Sequence, residues 1–253
     1  MKLLNIDANP KTVKGQKRGY MTAILYLAPY KLSGYQVCPM AETAGCIGDC
    51  LNTAGRGGMA PLDAETVEVH GHVVRLNSVQ RARIERTRMF FEDRETFMCT
   101  LTTEIIAAEK KANKAGLTLV VRLNGTSDIR WENVKFGPLK ATIFEHFPNI
   151  QFYDYTKIAN RRINHISNYH LTFSYSARKE FQKTWFAALA HYDVGMNHAV
   201  VFNGKELPSM FHGYAVVNGD ETDLRFLDQK GVVVGLKAKG KARKSNSGFA
   251  VAA

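Results

Sequence analysis

Short apolar runs separated by polar, glycine-punctuated stretches recur along the last two-thirds of the chain. The run Leu117 to Leu123 is apolar except at Thr118 and Arg122, and it follows a stretch, Phe97 to Ala115, where Leu101, Ile105, Ile106 and Ala108 fall near helical spacing. Gly116 separates the two, so the pattern predicts a helix followed by a buried strand. The alternation continues with a short helix over Thr142 to Phe147 closed by Pro148, strands at Ile150 to Tyr155 and Tyr169 to Ser174, and a helix from Lys179 to Tyr192. Further strands are expected at His198 to Phe202, Gly213 to Val217 and Gly231 to Leu236.

Strands recurring every roughly 15 to 30 residues, several apolar throughout, are the signature of βα units whose parallel sheet is covered on both faces. Candidates at Met21 to Leu27 and Val67 to Leu76 bring the count to about eight, the strand number of a (β/α) barrel of this length. The expected fold class is therefore α/β, a TIM-like (β/α) barrel that is irregular in its N-terminal third, with an open doubly wound sheet as the alternative. Residues 1–240 read as a single barrel-like domain carrying a cysteine loop at 38–50. Residues 241–253 read as a basic, mobile tail.

Composition sharpens this picture. The 253 residues carry 34 Lys and Arg against 23 Asp and Glu, a formal charge of +11, and are 45% hydrophobic and 10% aromatic. That apolar share excludes a disordered chain. No stretch approaches the ~20 apolar residues of a membrane span, and the start is too short for a signal-peptide core, so a cytoplasmic protein is expected. The positive excess suits a polyanion, with nucleic acid as the expected partner and solubility alone as the bland reading.

The sharpest local feature is the loop bearing Cys38, Cys46 and Cys50. Three thiols in a glycine-containing loop are spaced as metal ligands are, although chance clustering of reduced cysteines is the competing explanation. Zinc would need a fourth ligand, for which Cys99, His70 and His72 are available. Three thiolates alone suit a [4Fe-4S] cluster whose open iron binds S-adenosylmethionine. Directly after the loop, Gly55-Arg56-Gly57-Gly58 can offer backbone N–H groups and a guanidinium to phosphate, or be a simple turn. Arg81, Arg83, Arg86 and Arg88 form a stripe on a predicted helix, and Arg81 and Arg88 join Arg56 as candidate nucleic-acid contacts beside the alternative of a salt-bridged face.

Strand ends supply the remaining candidates, because parallel α/β folds keep their active sites at the carboxyl ends of strands. Arg122, Asn124, Ser127 and Asp128 lie at one such end, and Asp154, Tyr155 and Lys157 occupy the next unit. Asp128, Asp154 and Lys157 are the candidate catalytic groups. Arg122, Asn124, Ser127, Tyr155, Ser174 and Gly235 are the candidate substrate contacts, and Arg122 would need an anionic partner if buried. Lys237 and Lys239, after the last strand, are candidate phosphate contacts. The structural alternative has Asp128 capping a helix and Asp154 paired with Lys157.

The combination of Cys38-Pro, Cys46 and Cys50, Gly55-Arg56, Arg122-Leu-Asn with Ser127-Asp128, and Phe152-Tyr-Asp-Tyr-Thr-Lys157 resembles the phage and plasmid proteins described as gene product 88. The similarity covers roughly residues 30 to 175, and Leu51 stands where the family pattern has tyrosine. The resemblance implies a phage-type protein acting in the host cytoplasm. Some such proteins resemble compact relatives of the tRNA-guanine transglycosylase barrel, including phage enzymes that exchange guanine in DNA for a 7-deazaguanine, and others resemble three-cysteine proteins with an iron–sulfur cluster. The leading expectation is such a glycosyltransferase acting on DNA rather than RNA, with a small base as second substrate and zinc as the metal. A radical S-adenosylmethionine enzyme and a non-enzymatic DNA-binding protein with structural zinc are the alternatives.

Overall fold

Apolar runs without alternation need cover on both faces, and the tertiary structure supplies it. The computed structural model describes residues 1–7, 9–50, 52, 55–59, 66–69, 72–191 and 196–253. The first part of the chain forms β1 (Leu4–Ile6), α1 (Pro10–Gln16), β2 (Tyr20–Leu25), α2 (Tyr30–Ser33), β3 (Thr66–Val69), β4 (His72–Arg75), α3 (Ser78–Glu92) and α4 (Arg94–Lys114). The middle contributes β5 (Thr118–Arg122), β6 (Lys135–Phe136), β7 (Ala141–Thr142), α5 (Ile143–His146), β8 (Gln151–Thr156), β9 (Tyr169–Ser174) and α6 (Gln182–His191). The last part adds β10 (His198–Phe202), β11 (Met210–Phe211), β12 (Tyr214–Asn218), β13 (Val233–Lys237) and β14 (Ala250–Val251).

One large sheet follows the order β1-β2-β5-β8-β9-β10-β13-β12-β11, with β14 continuing beside β10. Neighbours from β2 to β12 are parallel, and only the outer strands β1 and β11 run antiparallel. The expectation of an α/β protein built on a parallel sheet holds. The pairings among the described residues run as a path with two ends. Two expected features differ. The apolar run 67–76 is not a strand of the main sheet but the separate antiparallel pair β3 and β4, because adjacent segments can pair locally without the crossover that a parallel neighbour needs. The stretch 241–253, expected as a tail, includes β14, whose Ala250 and Val251 pair with Val201 and Phe202.

The two faces of the sheet are covered differently. On one, Leu119, Val121, Phe152 and Leu171 pack with Phe97, Leu101 and Ile105 of α4. That helix begins with the Asp93 carboxylate accepting from the Thr96 N–H, and its last turn carries Lys111 and Lys114, where a cation favours the helix dipole. On the opposite face Val120 and Tyr153 meet Leu224, with Tyr20 and Phe226 packed beside them. The segment between β12 and β13 thus does the work of a second helix layer.

Beyond Arg122 the chain turns sharply back over the end of β2. A Cβ at Gly125 would lie 2.6 Å from both the Leu25 carbonyl oxygen and Ile24 Cγ2, so only glycine lets the two strand ends approach. Gly125→Ala is expected to destabilise the protein by about 1–3 kcal/mol, read as a lower urea midpoint. Gly48→Ala, with no atom within 4 Å of its added Cβ, serves as the neutral comparison. Equal midpoints for the two variants would contradict the close approach.

Candidate active site at the carboxyl rim

The carboxyl ends of β5, β8 and β9 lie side by side, and the cysteine loop folds over them. The Asp128 N–H donates to the Val37 carbonyl at 2.7 Å, immediately before Cys38. The Cys38 thiol faces the Thr126 carbonyl at 3.8 Å, and Thr126 Oγ1 donates to the Leu27 carbonyl at 2.6 Å. On the β9 side, Ser176 Oγ donates to the Ala44 carbonyl at 2.8 Å. The far end of the loop is held by Arg83, whose Nη1 donates to Asn52 Oδ1 at 2.7 Å. The C-terminal segment closes the ring of contacts: Ser247 Oγ donates to Asp49 Oδ2 at 2.6 Å. Gly45 has φ +71, and a Cβ there would stand 2.6 Å from the Ser247 carbonyl oxygen.

Beneath the loop lies a buried network of opposite charges. Arg161 is fully buried; its guanidinium grips both oxygens of Glu132, donates to the Tyr169 hydroxyl at 2.9 Å and approaches Asp128 Oδ1 at 3.5 Å. Asp128 Oδ2 accepts from the Lys157 backbone N–H at 2.7 Å. Asp154 accepts from the Asn124 N–H at 2.8 Å and from the Tyr169 hydroxyl at 3.1 Å. Arg122, expected to need an anion, finds Asp223 at 3.0 Å, with Asp154 at 3.9 Å and the Tyr155 ring 4.8 Å beneath it. Such pairing is what makes buried guanidinium and carboxylate groups tolerable in a parallel sheet.

Lys157 is the central cation of the rim. Its ammonium donates to Ser174 Oγ and the Ser174 carbonyl, each at 3.0 Å, and to the Tyr175 carbonyl at 3.3 Å. The rings of Phe249 and Phe181 stand 4.8 and 5.3 Å away. The expected alternative pairing of Asp154 with Lys157 is not what the structure contains. Burial lowers the Lys157 pKa, while Cys46, Asp128 and Cys38 push it back up.

The three thiols share this neighbourhood electrostatically. Burial raises the pKa of each; Cys50, Asp128 and Cys46 raise Cys38 further, whereas Lys157 lowers Cys46. A neighbouring ammonium is the element that favours a thiolate, the form that attacks or binds metal. Among the described residues no three His, Cys, Asp or Glu side chains are gathered closely enough to hold a metal ion, so the loop does not present a closed ligand set. Cys99, one expected fourth ligand, is exposed on α4; His70 lies outside the described residues, as does the side chain of His72.

The expected substrate contacts divide. Asn124 Oδ1 accepts from Ser127 Oγ, the Ile129 N–H and Trp131 Nε1 at 2.8 to 3.1 Å, so Asn124 and Ser127 shape the loop after β5. Gly235 sits within β13, where an added Cβ would be 2.7 Å from Val216 Cγ1, a packing position away from the rim. Tyr155 and Ser174 remain at the strand ends. Of the arginine stripe, Arg81 and Arg88 are exposed on α3, whereas Arg83 and Arg86 are buried and bond backbone or side-chain oxygens of Asn52 and Lys2. The Arg56 side chain lies outside the described residues. Sequence reasoning missed Arg161, Glu132, Tyr169 and Phe249; only the apolar context of Tyr169 hinted at burial.

The family model described as gene product 88 matches residues 2–253. The chain belongs to the gene product 88 family. No curated protein and no solved structure matches it, so the gene product 88 site must be read from its own geometry. No helix of this gene product 88 chain, among the described residues, is long and apolar enough to cross a membrane.

Burial drives the Asp154 carboxyl up to about 7, against the opposing pull of Arg122 and the Asn124 N–H. An unfolded aspartate ionises near ~3.9, so the folded state holds an extra proton between these values. This contribution is complete below about pH 4 and is lost as pH rises through about 7. Asp154→Asn is expected to gain stability relative to the parent between pH 4.5 and 7.5, measured by urea unfolding at both values. A pH-independent difference would contradict the raised carboxyl. Arg161→Leu is expected to lose about 3–5 kcal/mol at neutral pH, because Asp128 and Glu132 are left buried without their cation.

Proposed function

We propose that the protein modifies a base in nucleic acid, DNA before RNA, by base exchange at the carboxyl rim above β5 and β8. The observation that supports this reading is the meeting of Asp128, Lys157 and the three-thiol loop at adjacent parallel strand ends, the position where α/β enzymes carry their chemistry. The formal charge of +11 supports a polyanionic substrate.

In a base exchange a carboxylate attacks the sugar C1′, the C1′–N bond to guanine breaks, and the leaving base takes up a proton. The incoming 7-deazaguanine then loses a proton as its nitrogen displaces the carboxylate. Exposure separates the two acids: the Asp128 side chain keeps 10% of its surface and that of Asp154 keeps none. Asp128 takes the attacking role. Asp154 acts from beneath as a positioning residue, fixing the Asn124 backbone and hence the loop that carries Asp128. Lys157 supplies positive charge beside the reacting carboxylate, and Tyr155 and Ser174 border the base. The basic residues Arg81 and Arg88 extend the contact to the phosphate backbone.

Zinc at Cys38, Cys46 and Cys50 rests on their sequence spacing alone, since the described residues bring no three such ligands together; bound there, it would draw the thiols into one site and stabilise the loop over the rim. A second reading, a [4Fe-4S] cluster with S-adenosylmethionine, draws on the presence of three neighbouring thiols without a fourth described ligand. Metal analysis of anaerobically purified protein separates the two: stoichiometric zinc in a colourless protein supports the first, and iron with absorbance near ~400 nm supports the second.

The decisive test of the reaction is nucleoside analysis of DNA incubated with the protein and a 7-deazaguanine base. The expected result is an altered nucleoside whose formation falls at least about 100-fold in Asp128→Asn. Full activity in that variant would remove Asp128 from the attacking role, and the absence of any altered nucleoside would leave a binding protein.

A further inference from the structure

A second feature of the same rim lies away from the thiols, where β12 and β13 end. The strand order follows the chain from β2 to β10, then passes over a position to β12 and returns to insert β13 between them. Open α/β sheets bind ligands outside the carboxyl ends of strands at such a reversal of order. A cavity of about 420 Å³ occupies this place, formed by α1, the turn after β12 and the turn after β13.

Its lining is cationic. Lys11, Lys14, Lys237, Lys239 and Arg243 face Asp220 and Glu221, leaving a formal surplus of about three positive charges by simple charge counting. Asp220 organises the group rather than neutralising it. Lys11 Nζ approaches its carboxylate at 2.6 Å and Lys239 Nζ at 3.3 Å, and the Lys237 N–H donates to it at 2.8 Å. The Asp220 N–H in turn donates to Asn218 Oδ1 at 3.0 Å, and Lys11 Nζ also donates to the Gly219 carbonyl at 3.1 Å. Two lysines from opposite ends of the chain are thereby held at one wall, while the exposed Lys14, Lys237 and Arg243 have no acidic ion-pair partner among the described residues. Three exposed like charges around one concavity raise its positive potential and make it a favourable place for an anion.

We propose that this cleft binds phosphate groups, with Lys14, Lys237 and Arg243 as the contacting cations and Asp220 as the residue that positions Lys11 and Lys239. The cavity has room for a phosphate ester of mononucleotide size. The base-modification reading bears only on whether the phosphate belongs to a nucleic-acid backbone or to a free ester. The cleft itself rests on its own geometry.

The test compares the parent with Lys14→Glu/Lys237→Glu, two exposed side chains whose replacement leaves the Asp220 contacts in place. A control variant, Lys110→Glu/Lys114→Glu, changes charge equally at the end of α4, on the opposite rim of the sheet. Inorganic pyrophosphate is followed by calorimetry and a short labelled single-stranded DNA by fluorescence anisotropy. The cleft is supported by a loss of pyrophosphate affinity of about tenfold or more in the first variant and not in the second. If the DNA affinity falls in parallel and its salt slope drops by about 2, the backbone is the source of the phosphate. DNA binding insensitive to the cleft variant, with pyrophosphate still sensitive, identifies a free ester; no DNA binding at all removes the nucleic-acid reading and leaves the cleft standing. Pyrophosphate that does not bind the parent, or that responds equally to both variants, overturns the proposal.

Discussion

Two arginines held out of water at the carboxyl end of a parallel sheet, Arg122 at the end of β5 and Arg161 in the connection after β8, set the terms for the rest of this molecule. Arg161 has no exposed surface and Arg122 keeps 12% of its side chain exposed, and neither could remain there as an isolated charge. Their four carboxylate partners come from three separate segments of the chain: Asp128 and Glu132 after β5, Asp154 within β8, and Asp223 before β13. Burial would depress both guanidinium groups, and the surrounding carboxylates and tyrosines instead raise their pKa above the usual arginine value. The network therefore fixes strand ends, the loop after β5 and the plug between β12 and β13 in one electrostatic arrangement. It also holds the loops of the carboxyl rim in place over the strand ends.

The cysteine loop and the C-terminal segment rest on that platform. The loop is tied to Asp128 through the Val37 carbonyl and to β9 through Ser176. Ser176 Oγ also lies 3.2 Å from the Gly248 carbonyl, and the Ala177 N–H donates to that same oxygen at 2.9 Å. One short segment thus joins the thiols, the ammonium of Lys157 and the basic turn after β13. Residues of the stretch 240–251 reach both ends of the rim, Arg243 lining the basic cleft and Ser247 bonding Asp49 of the thiol loop.

Much of the fold is legible because burial on both faces leaves an unambiguous sequence trace. The strand read at Tyr169 to Ser174 coincides with β9, and the helix read at Phe97 to Ala115 differs from α4 only at its ends. The hairpin of β3 and β4 was not distinguishable from a sheet strand, since an apolar run does not declare its partner. The candidate site was legible at Asp128, Lys157 and the cysteines, whose chemistry stands out locally. Arg161 was not, because nothing in the sequence separates it from the exposed Arg162 beside it; the difference arises from Glu132 and Tyr169, which are distant or unremarkable along the chain. Asn124 looked like a ligand for the same reason. Its carbonyl oxygen is consumed by three donors of its own loop, a fact visible only once the loop is folded.

This network holds Cys38, Cys46 and Cys50 in one electrostatic neighbourhood over the strand ends, apart from the exposed Cys99. Thiol counting before and after one equivalent of a trivalent phenylarsenical, which bridges only neighbouring sulfurs, measures this directly. One equivalent is expected to remove two thiols in the parent and leave Cys99 titratable, and to remove none when any two of Cys38, Cys46 and Cys50 are replaced by serine. Full titration of all four thiols after arsenical treatment of the folded protein would contradict it.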